Sequence, residues 1–208
     1  IRRHLEARDP GIQTLGFAGF FGLPIDVCSH GASAARTQLP GLLKPTLRAR
    51  VCGDGATRPA SIGGAVQRLG ENPASMFAMV ETLGMGYLFK LLQQVTTPPK
   101  QDQTEFKSGT LLELSQDGRA LEKAELAALA GGILGAMGIT QQFAPHVLLV
   151  GHGSQSNNNP PASSLDCGAC GGHSGEANVI LLSQILNDSE VRFEMHKQGV
   201  VIPPETQF

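Results

Sequence analysis

The stretch Val147-Leu148-Leu149-Val150-Gly151-His152-Gly153-Ser154 decides how this chain is read, because an all-apolar run ends in glycine and opens directly into polar residues. That is the pattern of a strand buried in a sheet, with a loop at its carboxyl end. The loop continues through Gln155-Ser156-Asn157-Asn158-Asn159-Pro160 to Leu165-Asp166-Cys167-Gly168-Ala169-Cys170-Gly171-Gly172-His173. Glu176 to Leu186 then has a helical pattern and ends at Asn187-Asp188. Strand, loop and helix in this order predict an α/β sheet, whose ligands bind at the carboxyl ends of the strands.

Upstream, a second amphipathic helix is predicted from the spacing of Leu121, Glu125, Leu126, Leu129, Ile133 and Met137, with Gly131, Gly132 and Gly135 offering a smooth face for close packing. The stretch from Thr96 to Thr110 contains Pro98-Pro99 and a polar run without either period, and it reads as an exposed connection. Met76, Phe77, Val80, Leu83, Tyr87, Leu88 and Leu91 recur at helical spacing within Ser75 to Val95, as in a core helix. Thr46 to Cys52, Pro24 to Val27 and the glycine-punctuated run Ile12 to Phe21 read as strands. A short charged helix opens the chain and stops at Asp9-Pro10-Gly11, since proline disfavours helical geometry in the residue before it.

Composition narrows the function classes. With 208 residues and 41% hydrophobic side chains, the chain can bury a core as one domain or as part of a larger one. A net charge of -2 argues against a nucleic-acid partner. Four cysteines, Cys28, Cys52, Cys167 and Cys170, are too few and too scattered for a secreted disulfide scaffold, which favours a reducing compartment. Ile1-Arg2-Arg3-His4-Leu5-Glu6 is unlike a signal peptide, and the Ser75 to Val95 stretch is too interrupted by charge to span a membrane.

The chemistry is expected in the loop. His152 follows a strand, so its ring can face a cleft while the sheet fixes its backbone, and Cys167 lies in the same excursion. Imidazole and thiolate are the donors a soft divalent metal selects. Cys167 and Cys170 form Cys-x-x-Cys, a spacing that serves zinc, redox exchange or a simple turn. Asp166 reads as a turn cap or a hydrogen-bond acceptor behind the ligands, and Ser154 and Cys170 are candidates for the same supporting role. Ser156 and Asn157 to Asn159 can orient an oxygenated substrate or make the loop for local reasons. Cys28 and Cys52 read as small buried residues, and His173 is a spare imidazole.

These residues also carry a resemblance. Gly151-His152-Gly153-Ser154 through Asn158, Leu165-Asp166-Cys167-Gly168-Ala169-Cys170-Gly171-Gly172, Asn178, Asn187, Val191-Arg192 and Gly199 to Pro203 resemble the DabA family, the large subunit of a bacterial inorganic-carbon uptake complex. Arg2-Arg3-His4-Leu5-Glu6, Thr14 to Gly22 and Leu42-Leu43-Lys44-Pro45 are similar to the family's text just after its first metal motif.

The resemblance implies a β-carbonic-anhydrase-like sheet flanked by helices, here an internal fragment incomplete at both ends. It also implies a zinc site built from the Cys and Asp of a Cys-x-Asp-x-Arg motif with a later His and Cys. The later pair corresponds to His152 and Cys167, and the earlier pair is expected upstream of Ile1. Zn2+ would activate water to convert CO2 to bicarbonate, and the fragment alone would be inactive. The implied partner is a membrane-embedded, cation-antiporter-like subunit, which puts the protein on the cytoplasmic side of the bacterial inner membrane as a peripheral component. Two other readings rest on the residues alone: a metal chelatase or carrier using His-Gly-Ser, and a thiol redox protein using Cys167 and Cys170.

Overall fold

The computed structural model describes residues 2–18, 22–28, 35–52, 78, 81–82, 84–86, 92, 106, 110–153 and 167–208. The amino-terminal helix, α1 (Arg2–Arg8), ends just before Pro10 and buries none of its residues. The Arg2 guanidinium folds the next segment back along it, donating to Thr14 Oγ1 at 2.7 Å and to the Thr14 carbonyl at 2.8 Å.

A five-stranded mixed sheet follows, with β1 (Ile25–Cys28), β2 (Arg36–Thr37), β3 (Leu47–Cys52), β4 (Leu111–Gln116) and β5 (Arg119–Ala120) in the order β2-β1-β3-β4-β5. Only β1 and β3 run parallel, in a register that sets Val27 beside Ala49, and the other pairs are antiparallel. The two-residue alternation of β3 explains its orientation. Leu47, Ala49 and Val51 are buried while Arg48 and Arg50 face solvent, and on β4 Leu112 and Leu114 are buried opposite exposed Leu111 and Glu113. The sheet therefore has one apolar face and one polar face. The hairpin between β4 and β5 turns on Asp117 and Gly118, whose φ values of 50° and 82° suit a tight two-residue loop.

Helix α2 (Lys123–Met137) begins with a reciprocal capping box between Glu122 and Glu125 and ends at Gly138. Helix α3 (Glu176–Asn187) is followed at once by α4 (Ser189–Lys197), whose amino-terminal cap is Asp188. The three helices pack on one another, and α3 also packs on β4. One cluster joins Ile25, Val27, Ala49 and Leu114 of the sheet to Ala130, Leu134, Leu181, Leu186, Val191 and Met195 of the helices. Gln184 of α3 reaches the outer edge of β4, donating to the Thr110 carbonyl and accepting from the Leu112 amide at 3.1 Å. A side chain thus stands where a further strand would pair. Among the described residues no helix is long and apolar enough to cross a membrane.

Several expectations need correction. Val147 to Val150 is not a buried strand: Leu148 is 86% exposed and Val150 77% exposed. The bridge at its start is made by His146 with Gln207, whose carbonyl accepts from the Val147 amide at 2.8 Å and whose amide donates to the Pro145 carbonyl at 2.9 Å. Ile12 to Ala18 forms no strand either, and Gly19 to Phe21 lie outside the described residues. Gly132 and Gly135 face open space instead of a packed neighbour, and only Gly131 approaches another element, at Val200. Cys28 and Cys52 are half-buried on the sheet's polar side.

Other expectations fall largely outside the described residues, including the whole apolar stripe from Met76 to Leu91. Within 96–110 the two described residues, Phe106 and Thr110, are buried.

Candidate functional site

The position of His152 is set by two glycines. A Cβ on Gly151 would lie 2.4 Å from the Gly175 carbonyl oxygen, and one on Gly175 would lie 3.2 Å from Gly151 Cα. Only residues without side chains allow so close an approach of two backbones. Gly175 then donates its amide to the His152 carbonyl at 2.8 Å. His152 is thereby fixed against the residue that opens α3, and its imidazole stands on the exposed side of the contact.

Cys167 is brought to the same place by a compact turn. Its carbonyl accepts from the Cys170 amide at 2.9 Å and the Gly172 amide at 3.0 Å, closing a single 3-10 turn over Gly168–Cys170. Cys167 also pairs across an antiparallel bridge with His173, two residues before Gly175. Gly171 has φ 69°, and a Cβ there would lie 2.7 Å from the Leu39 carbonyl and 2.9 Å from that of Thr37. Glycine is required on both counts. The turn is thus clamped against the segment after β2, where Gln38 is fully buried with its amide nitrogen turned to the Ser174 carbonyl at 3.2 Å.

The two thiols differ. Burial, together with a hydrogen bond to Cys167, pushes the Cys170 thiol up to about 12. At neutral pH Cys170 keeps its proton, which is the opposite of the depressed value of an attacking redox thiol. Cys167 is half-buried, and the amino terminus of α3 lies just beyond it with no side-chain cap; Ser174 Oγ meets one amide, that of Glu176, at 3.1 Å.

His152, Cys167, Cys170 and His173 are therefore gathered by backbone contacts around residues 173–175. Ser154, Asp166, Ser156 and Asn157 to Asn159 lie outside the described residues. Among the described residues no three His, Cys, Asp or Glu side chains are grouped to hold a metal ion. His4, His146 and His196 are exposed. A groove of about 370 Å³ on the polar side of the sheet, lined by Asp26, Arg48, Arg50 and Glu113, contains neither imidazole nor thiol and does not offer soft-metal chemistry. Reading the residues one by one missed Gln38 and Gly175; the short spacing from His173 to the helix start was the available signal for Gly175.

Comparison with known proteins gives the family. The family model described as probable inorganic carbon transporter subunit DabA matches residues 1–208. All of the chain aligns at 41% identity with 27% of a protein named probable inorganic carbon transporter subunit DabA2 from Halothiobacillus neapolitanus. It aligns at 43% with 26% of a DabA-named protein of Hydrogenovibrio crunogenus, and at 41% with 26% of one from Vibrio cholerae serotype O1. The chain spans about a quarter of the length of these relatives. No solved structure matches it. With the family model covering the chain from end to end, the chain belongs to the DabA family.

Proposed function

We propose that the whole subunit takes part in inorganic-carbon uptake by hydrating CO2 to bicarbonate at a zinc ion, and that this chain supplies His152 and Cys167 as two of the ligands. The observation that carries the reading is the convergence of both residues on the 173–175 segment at the open start of α3. The relatives' names support the uptake role.

The donors fit zinc in kind, being one imidazole and one thiol, but a catalytic site needs about three protein ligands. The others would come from a Cys-x-Asp-x-Arg motif, a pattern residues 1–208 do not contain. Zinc held there would lower the pKa of water to about 7 and furnish hydroxide to attack CO2. Cys170, protonated, would hydrogen-bond the Cys167 sulfur and temper its charge. The Gly151–Gly175 contact would hold the imidazole in place.

The finer fold reading, a β-carbonic-anhydrase-like domain, belongs to the same proposal, as does assembly with a cation-antiporter-like membrane subunit on the cytoplasmic side of the inner membrane. The parallel β1–β3 pair is compatible with such a sheet.

The test uses the full-length subunit, with zinc measured by elemental analysis and CO2 hydration by stopped flow. His152→Ala and Cys167→Ala are each expected to lose zinc and hydration together, while Cys170→Ala keeps most of its zinc. Stoichiometric zinc in both of the first two variants overturns the ligand assignment.

A further inference from the structure

Residues 147–150 alternate between two surroundings. Val147 and Leu149 are half-buried, with Leu149 packed against the core, whereas Leu148 and Val150 are exposed. Successive side chains of an extended chain point to opposite faces, and a strand with one face in water ordinarily carries polar residues on that face. This one carries leucine and valine there. An apolar residue at every position is the composition of a strand covered on both sides.

The backbone is open along one edge as well. The Pro145 carbonyl and the Val147 amide turn toward Gln207, so by the alternation of a strand the amides and carbonyls of Leu148 and Val150 point the other way. Leu148, Leu149 and Val150 make no hydrogen bond among the described residues. Elsewhere the chain guards its edges: the Gln184 side chain occupies the outer edge of β4, and the edge strands β2 and β5 have two residues each. Residues 147–150 contain neither a charge nor a proline. A bare apolar edge left in water is a template for aggregation.

We propose that a strand from the part of the same subunit outside residues 1–208 pairs along this edge, and that the layer packed on it covers Leu148 and Val150. The chain spans about a quarter of its relatives' length, so most of a full-length subunit lies outside it. The cover belongs to the same polypeptide because a separate membrane subunit or a second copy would leave the edge bare until assembly. Pairing gives the Leu148 and Val150 amides and carbonyls their partners and makes residues 147–150 an interior strand. The assignment rests on exposure and backbone geometry, and it is independent of the CO2-hydration reading.

The test is hydrogen exchange on the full-length subunit, held monomeric as judged by light scattering and read by mass spectrometry at single amides. The Leu148 and Val150 amides are expected to exchange at least about a hundredfold more slowly than in an unstructured peptide. Exchange at the unstructured rate overturns the proposal. Protection seen only in an oligomer, or only in a complex purified from membranes, overturns it too, because the cover then lies on another chain. To locate the strand, Leu148 is replaced by p-benzoylphenylalanine and irradiated, and the cross-linked peptide is expected in the same chain outside residues 1–208. A cross-link to a peptide within 1–208, or between two copies, is the contrary result. Leu148→Ala, which adds no bulk, should lower Tm by several degrees as truncation of a core leucine does, and an unchanged Tm would mark Leu148 as a surface residue. Zinc content in His152→Ala and Cys167→Ala judges the hydration reading separately.

Discussion

Gly151 has the least tolerant surroundings of the described residues around His152. An added methyl group would overlap the Gly175 carbonyl at 2.4 Å, so Gly151→Ala must part this segment from α3. The expected cost is about 1–3 kcal/mol in urea unfolding, accompanied by loss of zinc although both proposed ligands remain. Full zinc occupancy in Gly151→Ala would show that the backbone contact does not position His152.

Arg192 is a second strict position, of a different kind. Its guanidinium ties α4 to the carbonyls of Leu186, Pro203 and Thr206, and sits 5.9 Å from the Phe208 ring centre. Arg192→Ala should cost about 2–3 kcal/mol without touching zinc content, which separates a structural clamp from the site. Sequence alone singled out His152 and Cys167 because their chemistry is intrinsic to the residue. Gln38 and Asn178 were not assigned roles, because an amide becomes informative only when its burial and its partners are known.

At the scale of elements, Asp188 terminates α3 and caps α4, accepting from the Glu190 amide at 2.9 Å and the Val191 amide at 3.2 Å. Burial raises its carboxyl, but the Lys123 ammonium and the two capped amides outweigh that and hold it below the usual carboxylate range. A depressed carboxyl stabilises the fold fully above its unfolded value, about 4, and loses that contribution as pH falls through the folded value. Asp188→Ala is expected to cost about 1 kcal/mol at pH 7. Asp188→Asn should keep most of the cap while flattening the loss of stability as pH falls below about 4, as read from urea midpoints; an unaltered acid slope would place the titration elsewhere.

Helices α1, α2 and α3 were legible from their period and from the residues that stop them. The β4–β5 hairpin is also written in the chain as Asp117-Gly118 between alternating residues, a turn signal that the strand assignments leave unused. Val147 to Val150 misled for a physical reason: an apolar run reports suitability for burial, whereas burial requires neighbours on both sides.

For the whole molecule, sheet and helices share one cluster of buried side chains, so they should melt as one unit. Ile25→Ala in β1 and Leu186→Ala in α3 are each expected to cost about 2–5 kcal/mol and to shift a single transition seen equally by far-ultraviolet and near-ultraviolet circular dichroism. Two separate transitions would divide the sheet from the helical layer. The polar face, with Arg48 facing Asp26 at 3.7 Å and Arg50 beside them, adds little to this because exposed ion pairs contribute weakly.

By itself, the order of residues determined the α/β class, helices α1, α2 and α3, and the β1 and β3 strands, and it singled out a histidine and a cysteine turn as donors of one kind of chemistry. These follow from local periodicity, turn residues and intrinsic donor type, all of which are properties of neighbours along the chain. Tertiary structure alone decided that the sheet is mixed and one-sided, that Gly151 and Gly175 bring His152 to the start of α3, that Cys170 keeps its proton, and that Asn178 is buried without a partner among the described residues. Each of those depends on contacts between segments far apart in sequence, where burial and close approach set the energy and no local pattern records them.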